Sequence, residues 1–397
     1  MRHREEEQGC PATVWRLPPD LDREAARAFC DDVYDGPDVD EAEQPAYVLL
    51  LGDLDLLSSD LQLVLSERAH VGRLGFDRDS APEQLAAYAE KVVLSERRGV
   101  RQRATPVFFA TTDSFETRVG RQSLIEPCFE RADRLARDSA AFSRPVLADT
   151  RRELFDETSK EARVLFTMSH GAGPPADPTW TLADGTPPRT RWPSYEAQRA
   201  RQGILKLGAA ARLGPAEIAG QPFLPEGAWL MFACYGAGTP RESAYRLWLD
   251  RLAPSSSALA LSGIPASGDP PFIAALPKAA LAKPDGPLGV IGHLDLAWSY
   301  SFADVRTASL GPGALPPPSR ATRFHEVLNK LYRGTRMGAA LSELLRHADK
   351  LDRALAALDR RREKGEPIDE MERARLWMQR EDLSGFVLLG DPPVGRR

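Results

Sequence analysis

Short apolar blocks punctuate the chain at 47–51, 71–76, 107–110, 164–168, 229–233, 288–291 and 386–389, each the length of a buried strand. Their character is continuous rather than alternating, which is how strands covered on both faces read. Between them lie stretches of helical period. Residues 82–97 place Leu85, Tyr88, Ala89 and Val92 on one face, and 240–252 forms a second predicted helix. Buried strands alternating with helices predict an α/β fold with a mainly parallel sheet, because parallel neighbours need a crossover that a helix fills.

Later in the chain Leu341, Leu344, Leu345, Ala348, Leu351, Leu355 and Leu358 recur at helical spacing with charges between them. They predict a helix that packs on the sheet or in a hairpin with its successor, ahead of the last strand. Three stretches break the pattern: 172–199, dense in Pro, Gly, Thr and Trp; 253–271; and GPGALPPP at 311–318. Each reads as a long surface loop. The first 45 residues are acidic and interrupted by Pro and Gly, an irregular arm with a short helix around 22–33. The expected division is that arm, an N-terminal α/β unit at 46–150, and a catalytic unit at 151–397 that includes a helical region at 320–380.

Composition narrows the function classes. A chain of 397 residues, 42% hydrophobic, can bury a large core without metals or disulfides. The net charge of -5 repels a polyanion, so nucleic acid is an unfavoured partner. Cys10, Cys30, Cys128 and Cys234 are scattered, with no close pair to clip a metal or form a redox disulfide, and no cofactor is implied. The charged opening MRHREEEQGC lacks the apolar run of a secretory signal, and no stretch approaches the ~18 apolar residues of a membrane span. A reducing cytoplasm is the expected compartment.

Two junctions carry the chemistry: VLFTMSHG at 164–171 and WLMFACYGAG at 229–238. In each, an apolar strand stops at a reactive residue followed by small ones. Strands of an open parallel sheet present ligands at their carboxyl ends, so His170 and Cys234 can share one cleft. An imidazole that takes the thiol proton and later returns one to a leaving amine makes cysteine an effective nucleophile. Gly171 lets backbone approach the substrate, and the amides of Gly171 and Cys234 are the candidate oxyanion donors. The competing reading of either residue alone is structural, a buried thiol or a packed histidine. His293, in IGHLDLAW, is the rival base but lacks a following glycine.

These junctions resemble those of the caspase, legumain and gingipain superfamily of cysteine peptidases. YVLLLGD at 47–53, VGRLGF at 71–76 and the helix ending in SERRG are similar to the N-terminal subdomain of gingipain-like domains, and LWMQREDLSGFVLLGDPPV to the closing strand of gingipain-like and CHAT branches. The resemblance spans about 46–394. It implies a caspase-hemoglobinase fold, with His170 matching the catalytic histidine, Cys234 the nucleophile, and the amides of Gly171 and Cys234 the oxyanion donors. GVIGHLDLAWSYSF at 289–302 resembles the wall of the specificity pocket, with Trp298 in the aromatic position. Asp113 in FFATTDSF stands where an acidic residue would hold a basic side chain, with Asp295 as its rival; a turn or cap role competes for both. The chain departs from secreted gingipains in its longer interval between His170 and Cys234, and their signal peptide, propeptide and sorting modules are not seen in it, so secretion is not carried over.

The expected function is a cysteine endopeptidase acting on a protein or peptide substrate through a thioester acyl-enzyme. The resemblance to intracellular bacterial relatives adds an activating protein partner. Two other readings stay open: an inactive scaffold that binds a partner through the helical region, and a cysteine-dependent transferase or hydrolase acting on a small molecule.

Overall fold

The computed structural model describes residues 1–99, 103–171, 194–207, 212–249, 264–265, 268–303 and 318–395. Eight strands form the principal sheet: β1 Tyr47–Leu51, β2 His70–Leu74, β3 Thr105–Ala110, β4 Val146–Ala148, β5 Arg163–Met168, β6 Ala228–Phe232, β7 Gly289–His293 and β8 Phe386–Gly390. In space they run β1-β2-β8-β7-β6-β5-β3-β4. β1 and β2 are parallel, as are β4, β3, β5, β6 and β7 in turn. β8 lies antiparallel to β7 and fills the place between it and β2.

The burial of each strand explains its residues. β7 and β8 are buried at every position, and β3, β5 and β6 at all but the first, so both faces must be covered and both must be apolar. β1 stands at the edge and alternates buried with exposed positions. One face carries an aromatic layer: Phe108 of β3 meets Phe166 of β5 edge-on, Phe166 stacks on Phe324, and Phe232 of β6 packs against Phe324 and Phe386. The opposite face buries Trp229, whose Nε1 donates to Thr167 Oγ1 at 2.9 Å.

Helices cover these faces. α1 Ser59–Ser66, α2 Ala81–Arg98, α3 Phe115–Gly120, α4 Glu126–Asp138, α5 Arg151–Thr158 and α6 Ala275–Ala282 lie between strands. α7 Thr322–Tyr332, α8 Met337–Glu363 and α9 Glu370–Ser384 precede β8, the helical region that the leucine spacing predicts, with α8 and α9 packed as a hairpin. The fold is thus α/β with a mostly parallel central sheet flanked by helices.

Some expectations change. The helix predicted at 240–252 shrinks to Arg246–Leu249 among the described residues, because Asp295 accepts from Ser243 Oγ and Ala244 N and holds that stretch as a turn. The edge strand β4, three residues long, is too short to register as an apolar block. Residues 1–45 carry helices at Arg2–Gln8 and Arg23–Phe29 and dock on the sheet. There Ala26, Cys30 and Tyr34 join a core with Val48, Leu61 and Val71, while Arg4 pairs with Glu96 and Asp391. Of the expected loop at 172–199, residues 172–193 lie outside the described residues, as do most of 253–271 and of 311–318. Among the described residues no helix is long and apolar enough to cross a membrane.

Candidate active site

Neighbouring strands β5 and β6 deliver His170 and Cys234 to the same end of the sheet. They pair in register from Val164–Ala228 to Met168–Phe232, and the Ser169 amide extends the pairing by donating to Phe232 O at 3.2 Å. The two junctions then meet. A β-carbon built at Gly171 would overlap the Cys234 carbonyl oxygen and stand 2.9 Å from the Cys234 amide nitrogen. Only glycine fits there. Among the described residues, neither the Gly171 nor the Cys234 amide donates to a backbone carbonyl.

The backbone after Cys234 is constrained. Tyr235 adopts φ 55°, a left-handed conformation that a bulky side chain avoids, and it is fully buried. Its amide donates to Asp295 O at 2.9 Å, and Ala237 N donates to His293 O at 2.9 Å, so the turn is anchored to the end of β7. Such anchored strain is characteristic of functional turns.

Cys234 keeps part of its surface exposed. Its sulfur lies against Ala297, whose amide donates to Sγ at 3.4 Å and whose carbonyl is 3.6 Å from it. Burial pushes the thiol up to about 11; the Asp382 and Asp295 carboxyls add to this, and the contact with the Ala297 backbone only partly offsets it. The resting residue is a neutral thiol. His170 is half-buried, and its Nε2 lies 2.7 Å from Ser114 Oγ, beyond the end of β3. The two junctions therefore meet through their backbones, while the sulfur and the imidazole are each bonded elsewhere.

Two buried carboxyls pin the segment that cradles the sulfur. Asp295 accepts from Leu296 N, Ala244 N, Ser243 Oγ and the Tyr235 hydroxyl. Asp382 of α9 accepts from Trp298 N at 2.7 Å and Ser301 N at 2.8 Å. Burial raises both, Asp295 to about 6 and Asp382 to about 7, against these bonds. Asp295 is occupied by structural donors. Trp298 follows Ala297 directly and packs edge-on against Tyr245 within an aromatic cluster that includes Trp248, Tyr300 and Trp377.

The remaining candidates separate. His293 is wholly buried, with Nδ1 against the Asp295 backbone at 2.9 Å and Nε2 against Asp382 O at 3.2 Å. Desolvation lowers it to about 4, so it is a neutral packing element rather than a base in the cleft. Asp113 is exposed and accepts from Thr117 Oγ1 at 3.3 Å, in the turn that leads to Ser114. Sequence reasoning did not find Ser114 or Asp382. The second leaves a trace, an acid on the core-facing side of α9 beside Met378 and Leu383.

No family model matches the chain, and no curated protein matches it. Among solved structures it is similar to the complex of the Porphyromonas gingivalis RgpB pro- and mature domains, at 11% identity and a TM-score of 0.49, over 94% of this chain and 70% of that one.

Proposed function

We propose that the chain is a cysteine endopeptidase in which Cys234 is the nucleophile and His170 the proton carrier. The observation that carries this reading is the junction itself: the His170-Gly171 backbone packs directly on Cys234. Two amides with no carbonyl partner among the described residues accompany it, as does a left-handed Tyr235. A buried structural thiol needs neither feature.

In this mechanism the thiol proton passes to His170 as sulfur attacks the scissile carbonyl carbon. The oxyanion is received by the amides of Gly171 and Cys234, and His170 returns the proton to the departing amine. The thioester is then hydrolysed by a water whose proton His170 takes. A thiol at about 11 is not armed at neutral pH, so substrate or an activating protein partner must bring the imidazole onto the sulfur. In this reading Trp298 would line the pocket for the residue before the scissile bond, and Asp113 would receive a basic side chain there. The same unarmed state favours the competing reading, an inactive scaffold. Incubation with a mixed peptide library and mass spectrometry of the products decides between them. Cleavage absent from Cys234→Ala supports a peptidase; no cleavage by the native protein, alone or with a cell extract, supports the scaffold.

A further inference from the structure

We propose that Ser114 is the positioning residue of His170, fixing Nδ1 as the nitrogen that exchanges the proton with Cys234. The inference rests on the peptidase reading above. Ser114 follows β3 and caps α3: its Oγ accepts from Thr117 N at 3.1 Å, and its own amide donates to Thr117 Oγ1 at 3.0 Å. The reciprocal pair locks the hydroxyl in place, and on its other side stands His170 Nε2 at 2.7 Å.

The valence of the hydroxyl sets the tautomer. A serine oxygen offers one proton and two lone pairs. One lone pair is taken by Thr117 N. The proton has a taker in the same turn: Thr117 Oγ1 lies 3.2 Å away, and its own hydrogen goes to Asp113 Oδ1 at 3.3 Å. The second lone pair is left for His170, so Nε2 carries a hydrogen and Nδ1 presents its lone pair to the cleft. When the thiol proton moves to Nδ1 the Nε2–H bond to Ser114 is kept. When Nδ1 gives that proton to the leaving amine, as the carbon–nitrogen bond breaks, the bond is kept again. One orientation therefore serves both half-reactions, the task an orienting group performs for a catalytic imidazole.

The test separates this role from capping. Glycine is tolerated at a helix N-cap, so Ser114→Gly removes the hydroxyl while keeping α3. Ser114→Asp supplies both a cap and an acceptor for Nε2–H. Nitrogen NMR of the full chain labelled at its six histidines, assigned with His170→Gln and recorded in alkaline buffer where imidazoles are neutral, reads the tautomer. The native protein should show the Nε2–H form at His170, Ser114→Gly a mixture, and Ser114→Asp the native form. In parallel kcat should fall about tenfold to a hundredfold in Ser114→Gly with KM little changed, and recover to within about threefold in Ser114→Asp. An unchanged tautomer in Ser114→Gly, or equal rate losses in the two variants, would overturn the proposal. The NMR needs no turnover, so failure of the peptidase reading is seen separately, as native turnover in Cys234→Ala.

Discussion

His293 is the last residue of β7 and His170 stands two residues beyond the end of β5, yet their surroundings are opposite. His293 is walled in: a β-carbon at Gly385 would meet its ring, Phe386 packs edge-on at 5.0 Å, and both nitrogens face backbone atoms. His170 is half-exposed, and among the described residues the Ser114 hydroxyl is its side-chain hydrogen-bond partner. The difference comes from the residue after each histidine. Gly171 lets the chain turn onto Cys234, whereas Leu294, itself buried, carries the chain back into the core. A strand-end histidine is thus identified by the space its successor leaves, not by the strand.

Substituting each histidine in turn should give opposite phenotypes. His170→Ala is expected to lower kcat by about a hundredfold to ten-thousandfold while stability to urea changes by no more than about 0.5 kcal/mol. His293→Ala opens a cavity and strips partners from buried backbone, and should cost about 2–4 kcal/mol. Matching stability losses in the two variants would erase the contrast.

Alkylation sharpens it. In a Cys10→Ser background, the exposed thiol being removed, iodoacetamide labelling of Cys234 should rise about a hundredfold from pH 7 to pH 9, because a thiol at about 11 gains thiolate tenfold per pH unit over that range. In His170→Ala the same curve is expected, since the resting imidazole bonds Ser114 and not the sulfur. A plateau near neutral pH, lost in His170→Ala, would show a thiolate–imidazolium pair already formed. The smallest effect concerns Asp113. An exposed carboxylate is screened by water, so Asp113→Asn should change the ratio of Arg to Leu reporter cleavage by less than about fivefold. A larger change would place Asp113 inside a dry pocket.

Much of the scaffold was legible because burial on both faces forces continuous apolar runs; β5, β6 and β8 announce themselves in this way. The two junctions were legible as apolar strands that stop at a reactive residue, and β5 and β6 do lie side by side; that a β-carbon at 171 would strike Cys234 was not legible. What lay hidden is non-local. The turn at 243–245 obeys a carboxylate some fifty residues away, at Asp295, and so defeats its own helical period. Tyr235 favours extended backbone by type and is held left-handed by partners from β7 and the segment after it. Ser114 reads locally as a cap, and its second bond to His170 exists only once β3 and β5 lie side by side.

The position of β8 also governs the order in which the molecule can assemble. Its neighbours come from residues 70–74 and 289–293, so a growing chain holds both flanks of the sheet long before the strand between them exists. Contacts so distant along the chain form slowly, because the intervening loop must close before they repay its entropy. The residues just ahead of β8 include Asp382, which fastens Trp298 and Ser301, and Gly385, whose carbonyl receives Leu294 N at 3.0 Å. The cradle around Cys234 therefore waits on the last strand, and a chain that has not yet made it holds a thiol whose flanking segment is unfastened.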